Sequence, residues 1–120
     1  SYILPNNSVN DWLTHRHVER HGEPPDLFTG GGFAAGVALV EGLRRTGGNP
    51  EAEVLIPVLE GMSFSGPKGT YTFRPEDHQA LQPMYMVEMV STPDLDQPWA
   101  IPQLIREISA EETAPPLATM

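Results

Sequence analysis

The chain has 120 residues, 39% of them hydrophobic, which suits one folded domain rather than a disordered segment. Its 7 basic and 16 acidic residues give a formal net charge of −9, which disfavours binding to nucleic acid or to anionic lipid. There is no cysteine, which excludes disulfides, thiol catalysis and cysteine-based zinc sites. The sequence contains no apolar segment of membrane-spanning length and no signal-peptide pattern, so we expect any export signal to lie outside this chain.

Two helices are predicted in the first half of the chain. Residues 8–21 form the first, with Ser8 as its N-cap and Gly22 after its last turn. A loop over residues 23–32 then contains three consecutive glycines, which permit close backbone approach or positive φ. Apolar residues at helical spacing predict the second helix over residues 33–46.

A third, short helix is predicted to begin at Asn49 and Pro50, as N-cap and first helical residue, and to end at Gly61. Pro57 lies inside its apolar pattern and predicts either a kink or an early end.

The periodicity then changes to that of strands and turns. Residues 66–69 read as a tight turn, and residues 70–73 alternate polar and aromatic side chains as a half-buried strand does. Residues 84–90 predict a further strand, and residues 104–108 a short strand or helix. Between them, residues 91–100 form a polar, proline-rich connector.

His17 and His21 are four residues apart and could share a metal ion on one helix face. No glutamate lies between them as in the zinc-protease pattern, no clear third ligand follows, and His15 points elsewhere. Packing against the apolar side of the helix is the favoured interpretation, and we expect no metal and no cofactor.

The glycine run Gly30–Gly32 precedes a predicted helix but lacks both the lysine of a phosphate-binding loop and the glycine spacing of a dinucleotide site. Ser63, Ser65 and His78 are present without a nucleophile elbow. The sequence therefore predicts no enzyme.

Several segments, in order, resemble the closing part of a known family. The match comprises Asn10, Leu13, His17, His21-Gly22 and Pro25-Asp26, then the helix from Phe33 to Leu43, then 64–69 and 73–79. This order resembles the C-terminal portion of periplasmic (type I) solute-binding proteins of the branched-chain amino acid, Leu/Ile/Val-binding ABC transporter family. Phe33 stands where the family has tyrosine, and Leu13, His17 and His21 stand where it has aromatic residues.

The resemblance implies an α/β fold, the C-terminal portion of a type I periplasmic-binding-protein fold with helices plus a small mixed sheet. In such a fold two lobes close on a solute. Residues 1–28 would end one lobe and residues 29–62 would supply helices of the other. Residues 63–108 would form strands and crossover segments, and residues 109–120 a flexible tail.

The implied function is the substrate-binding component of an ABC transporter, which captures branched-chain amino acids or related small carboxylates and delivers them to a permease. The implied location is periplasmic or extracellular, with membrane association in the full-length form. The resemblance places the family's ligand-pocket residue at Thr29, with Gly30 and Phe33 as neighbouring pocket residues. Phe28 would line the same boundary.

Two alternatives remain: a ligand-sensing domain of the same fold in a receptor or regulator, and a small self-standing interaction module. For a fragment, strand edges without partners predict a homodimer or strand exchange.

Overall fold

The computed structural model describes residues 5–91 and 100–117. Within these ranges the chain forms four helices and five strands. They are α1 (Ser8–His21), α2 (Leu27–Arg45), α3 (Ala52–Leu59), β1 (Ser63–Gly66), β2 (Gly69–Phe73), β3 (Ala80–Leu81), β4 (Met84–Val90), β5 (Ile101–Ile108) and α4 (Ala110–Thr113). The predicted α/β class is confirmed. The described strands pair antiparallel, in a sheet of order β1-β2-β3 and a two-stranded sheet of β4 and β5, where the sequence predicted one mixed sheet.

Helix α1 has the predicted bounds, but its N-cap is Asn7 rather than Ser8. Asn7 has extended backbone (φ −148°), and its side-chain oxygen accepts a hydrogen bond from the backbone N–H of Asn10 at 2.8 Å. Ser8 is the first helical residue instead. At the other end, Gly22 adopts the left-handed conformation (φ 74°) and donates to the carbonyl of Val18 at 2.8 Å, which terminates the helix as predicted.

Helix α2 begins at Leu27, six residues before the predicted start, so the three glycines lie inside the helix and not in a loop. The Asp26 carboxylate caps this end by accepting the backbone N–H of Thr29 at 2.7 Å. Each helical glycine costs about 1 kcal/mol relative to alanine. A charged N-cap at the positive end of the helix dipole, and the burial of the later turns described below, offset that cost.

Helix α3 is short, as Pro57 predicted, but it begins at Ala52 rather than at Pro50. Asn49 accepts the backbone N–H of Glu51 at 3.0 Å, which orders the turn before the helix instead of capping the helix itself. Glu51 occupies the N-cap position without a side-chain bond. Gly61, with φ 78°, follows the end of the helix as expected.

Strands β1 and β2 form a hairpin across the predicted turn, with Gly66 opposite Gly69. The predicted strand over residues 84–90 is confirmed as β4, and residues 104–108 belong to strand β5. The ladder between β4 and β5 contains an irregularity between Met86 and Val87. Of the predicted connector, residues 92–99 lie outside the described residues.

The core forms where helix α2 meets this hairpin. Ala34, Ala38 and Gly42, spaced four apart, are the buried residues of α2. The cluster comprises Ala34, Ala38, Met62, Phe64 and Tyr71, with Val37, Leu59 and Phe73 packed against it. Because the helix presents small side chains, its backbone approaches the aromatic face of the hairpin closely. This contact fixes the direction in which α2 points.

Aromatic stacking holds the hairpin face together. Phe64 and Tyr71 are opposite each other in the ladder, with ring centroids 5.1 Å apart and planes at 17°. The Tyr71 ring also covers Gly66, where an added Cβ would lie 2.5 Å from Cε2 of the tyrosine. The tyrosine packing therefore requires glycine at position 66, and the positive φ of Gly69 (117°) favours glycine on the other side of the turn. Such aromatic pairs contribute about 0.5–1.5 kcal/mol beyond their buried area.

The ribbon of β4 and β5 lies outside this core. Large apolar side chains remain exposed on it, with Met89 at 59% and Ile105 at 57%. The Cα radius of gyration is 16.6 Å, compared with about 13–14 Å for a compact domain of this length. The ribbon contacts the hairpin through the Tyr85 hydroxyl, which donates to the carbonyl of Lys68 at 2.7 Å.

The C-terminal segment, residues 109–117, makes hydrogen bonds to the rest of the fold. Helix α4 lies inside residues 109–120, where the sequence predicted a flexible tail, because Ser109 caps it by accepting the N–H of Glu112 at 3.2 Å. The Thr113 hydroxyl donates to the carbonyl of Gln82 at 3.1 Å. In the described residues, no helix is both long and apolar enough to cross a membrane.

Arg74 links the turn after β2 to this segment. Its guanidinium donates to both carboxylate oxygens of Asp77, at 2.8 and 2.5 Å, and to the carbonyl of Pro115 at 2.9 Å. Both side chains of the pair are mostly covered, at 15% and 18% exposure. The hydrogen bonds from Arg74 lower the pKa of Asp77 below its usual value. The pair therefore favours the ionised carboxylate in the folded state.

We predict opposite effects of alanine at two glycines of α2. An added Cβ at Gly42 would lie 2.9 Å from Cδ2 of Leu59 and 3.0 Å from Cδ1 of Leu55, so Gly42→Ala should destabilise by about 1–3 kcal/mol through overpacking. Gly36 has no such neighbour within 4 Å in the described chain, so Gly36→Ala should stabilise by about 0.5–1 kcal/mol through helix propensity. Urea unfolding of both variants measures the difference, and equal stability would contradict the close packing of α3 on α2.

We also predict that the contribution of Asp77 depends on pH. A carboxyl whose pKa is lowered on folding adds stability above its unfolded pKa of about 3.9, and that stability disappears as pH falls through the folded value. Asp77→Asn should therefore lower the urea midpoint at pH 7, and the difference from wild type should shrink as pH falls below about 4. Glu76→Gln, which removes the same charge from an exposed neighbour, is the control; a pH-independent effect of Asp77→Asn would contradict the ion-pair explanation.

Candidate functional site

The start of helix α2 carries the residues that the sequence singled out. Asp26 accepts the backbone N–H of Thr29, and this bond, followed by one from the Thr29 side chain, lowers the pKa of the Asp26 carboxyl. The N–H of Gly30 donates to the carbonyl of Asp26 at 3.1 Å. The cap thus engages the backbone N–H groups of Thr29 and Gly30. The glycine run is helical, so it does not present the free backbone N–H groups that a loop would have offered to an anion.

The four predicted residues do not share one surface. Thr29 and Phe33 are four residues apart and lie on the same face of α2. Phe33 stacks on Trp12 of helix α1, with ring centroids 5.7 Å apart and planes at 29°. Phe28 is 84% exposed. Gly30 lies about 200° around the helix from Phe28 and lines a separate cavity.

That cavity, which we call the hairpin cavity, has a volume of about 430 Å³ and lies between α1, the start of α2 and the β1–β2 turn. Its lining includes Asn10, Asp26, Gly30, Gly31, Lys68 and Tyr71. A second cavity of about 790 Å³ follows the other side of α2 along strand β1, bordered by Gly32 and Phe33. The first turns of α2 therefore have open space on two sides.

The hairpin cavity combines opposite charges with partial burial. Lys68 and Asp26 supply one cation and one anion to its lining. Burial lowers the pKa of the Lys68 ammonium group and raises the pKa of the Tyr71 phenol. A partly desolvated ammonium group attracts an anion more strongly than an exposed one does. The lining therefore contains a partly desolvated cation together with an anion.

Two asparagines at the start of α1 bond to neighbouring backbone, and Asn10 lines the cavity itself. Asn10 is buried at 6% exposure, and its side-chain amide donates to the carbonyl of Pro5 at 2.8 Å. The amide of Asn7 donates to the carbonyl of Pro67 at 2.9 Å, so the cap of α1 is also a bridge to the hairpin turn.

The sequence reasoning missed Asn7, Asp26, Lys68 and Tyr71. Asp26 carried a local signal, because an aspartate after two prolines and before a helix is a typical N-cap. The other three come together only through the packing of α1 against the β1–β2 turn, which no local pattern encodes.

A model of the periplasmic binding protein family matches residues 4–94. The chain therefore belongs to the periplasmic binding protein family. The family resemblance read from the sequence is confirmed.

Solved structures give the same fold. An ABC-type branched-chain amino acid transporter from Rhodopseudomonas palustris CGA009 is 41% identical, with a TM-score of 0.85 over 98% of this chain and 31% of its own. An ABC transporter from Rhodopseudomonas palustris is 44% identical, with a TM-score of 0.63 over 75% of this chain and 27% of its own.

A third structure, at 23% identity, supports the fold alone. It is a solute binding protein of an ABC transporter from Rhodopseudomonas palustris BisB5 in complex with 3,4-dihydroxybenzoic acid, with a TM-score of 0.72 over 87% of this chain and 28% of its own. The chain thus spans about a third or less of the length of these three structures. No curated protein matches it. These matches give no support to the predicted homodimer or strand exchange, and the lobe boundaries stay predictions.

We predict that Asn7 contributes to stability in two separable ways. Asn7→Ala should destabilise by about 1–2 kcal/mol, because it removes the helix cap together with the bond to Pro67. Asn7→Asp keeps the capping oxygen but loses the amide donor, so it should recover most of the cap and leave the hairpin turn unlinked. Urea unfolding gives the free energies, and hydrogen exchange at Gly69 and neighbouring amides reports the link. If Asn7→Ala and Asn7→Asp had equal effects on stability and on exchange, the cap and the bond to Pro67 would not be separable contributions.

Proposed function

We propose that this chain is part of the substrate-binding component of an ABC transporter, which captures branched-chain amino acids or related small carboxylate solutes. The observation that carries the proposal is the match, at 41% identity over 98% of this chain, to an ABC-type branched-chain amino acid transporter. On this proposal the protein works in the periplasm or at the outer surface and delivers its solute to a membrane permease.

The proposed ligand-binding residues remain those at the start of α2: Thr29, Gly30, Phe33 and Phe28. Three features support them. Open space lies on both sides of this segment. An added Cβ at Gly30 would have no neighbour within 4 Å among the described residues, so a group from outside this chain can approach the helix backbone there. Phe28 offers an exposed aromatic ring for the apolar part of a solute.

The chemistry of the neighbouring wall supports an anionic solute. Lys68 is half-buried, and its side-chain ammonium lies 3.4 Å from the sulfur of Met84, a weak acceptor that leaves the cation poorly compensated. A carboxylate is a stronger partner for that ammonium group. The overall charge of −9 repels an anionic solute in general, so a local cation is needed to hold one.

We predict that the complete gene product binds a small solute and that Thr29 contributes to it. A thermal-shift screen should include leucine, isoleucine, valine, 4-hydroxybenzoate and 3,4-dihydroxybenzoate, because a ligand that binds only the folded state raises the melting temperature. For the solute that binds, Thr29→Val should weaken the affinity by about ten- to hundredfold, since it removes one hydrogen bond to a charged ligand. Isothermal titration calorimetry measures the change.

Thr70→Val is the matched control, because Thr70 is exposed on strand β2 and far along the chain from α2. It should leave the affinity unchanged. If no amino acid or aromatic acid raises the melting temperature, solute capture is contradicted. If a solute binds and Thr29→Val binds it as tightly as wild type does, only the proposed position of the site is wrong.

A further inference from the structure

Helix α1 ends in a pair of histidines that the proposed solute site does not use. The rings of His17 and His21 have centroids 4.5 Å apart and planes at 43°. The sequence favoured an apolar packing role for both. Leu13, one turn earlier, is buried at 7% exposure, but His17 is only half-buried and His21 is exposed. The two rings therefore contact each other at the surface instead of covering a core.

The orientation of His17 is fixed by the backbone. Its Nδ1 lies 2.8 Å from the carbonyl oxygen of Glu23. A carbonyl oxygen can only accept, so Nδ1 carries the hydrogen and donates it. In the neutral ring the lone pair is then on Nε2. A bond from Nδ1 to a backbone carbonyl is the usual arrangement behind a histidine that binds a metal through Nε2.

The spacing of the rings suits one shared ion. Residues four apart on a helix place their side chains side by side, as in known two-histidine metal sites. With metal–nitrogen bonds of about 2.0–2.1 Å, two imidazoles on one ion have centroids about 4.5 Å apart when those bonds meet at about 90°. The observed centroid separation of 4.5 Å fits this arrangement without movement of the helix. A right angle is the geometry of tetragonal copper(II), whereas tetrahedral zinc spreads its ligands further.

We propose that His17 and His21 together bind one divalent copper ion on the last turn of α1. The ion lies at the negative end of the helix dipole, which favours a cation there. Among the described residues, no group of three or more His, Asp or Glu side chains could hold a metal, so water completes the coordination. Copper(II) binds more tightly than zinc(II) at such a site, as the general order of divalent affinities requires.

The test is calorimetric titration of the purified, tag-free protein with Cu²⁺ at pH 7.4, with Zn²⁺ and Mg²⁺ titrated separately. We expect one Cu²⁺ per chain, at least tenfold weaker affinity for Zn²⁺, and no saturable binding of Mg²⁺. His17→Gln and His21→Gln should each weaken Cu²⁺ binding at least tenfold. His15→Gln is the matched control, because His15 is exposed on α1 as His21 is but lies two residues from His17 and on another face; it should leave the affinity unchanged.

A second measurement keeps the proposal testable if a variant folds poorly. Electron spin echo modulation of the wild-type copper complex should contain signals from imidazole nitrogen, and circular dichroism should give the same helix content for all variants. No saturable copper binding, unchanged affinity in the double variant His17→Gln/His21→Gln, or loss of binding in His15→Gln would each overturn the proposal.

Discussion

The packing of the small buried residues of helix α2 against the β1–β2 hairpin and helix α3 is the contact on which the rest of this structure depends. Ala34, Ala38 and Gly42 are its buried positions on the helix. A larger side chain at Ala34 or Ala38 would move the helix away from the hairpin, and one at Gly42 would collide with helix α3. The two aromatic rings in turn fix the hairpin face, since Phe64 and Tyr71 occupy paired positions in the ladder.

This contact also positions the other helices. Leu55 and Leu59 of α3 approach Gly42. Partial burial of these two leucines supports a helix whose own hydrogen bonding is interrupted at Pro57. Helix α1 attaches at the opposite end of the hairpin, through the bond from Asn7 to Pro67. The hairpin thus contacts α1 and α2 directly, and α3 is held by its packing on α2.

The start of α2 lies beyond this buried stretch, and its features follow from that position. Glycines are tolerated at positions 30–32 because the later turns of the helix are fixed by packing and the first is fixed by the Asp26 cap. The space beside them is open on two sides. A segment that is held firmly at one end and left uncovered at the other is a suitable place for contact with a solute.

Local chemistry in the sequence determined much of this. Helix spacing fixed the bounds of α1, the Gly66–Gly69 turn fixed the hairpin, and the unbroken apolar run over 84–90 fixed strand β4. The ordered motifs also identified the family, since residues 4–94 match its model. Each of these rests on residues close together in the chain, where pattern and propensity act directly.

Tertiary structure decided what local pattern could not. The glycine run was predicted as a loop because each glycine disfavours a helix, and the packing of Ala38 and Gly42 overrode that preference several turns away. Lys68 joins Asp26 around one cavity, although 42 positions of sequence separate them. The sequence by itself determined the elements and the family. Only the fold decided which side chains meet, because contacts between distant residues depend on how whole helices and hairpins pack.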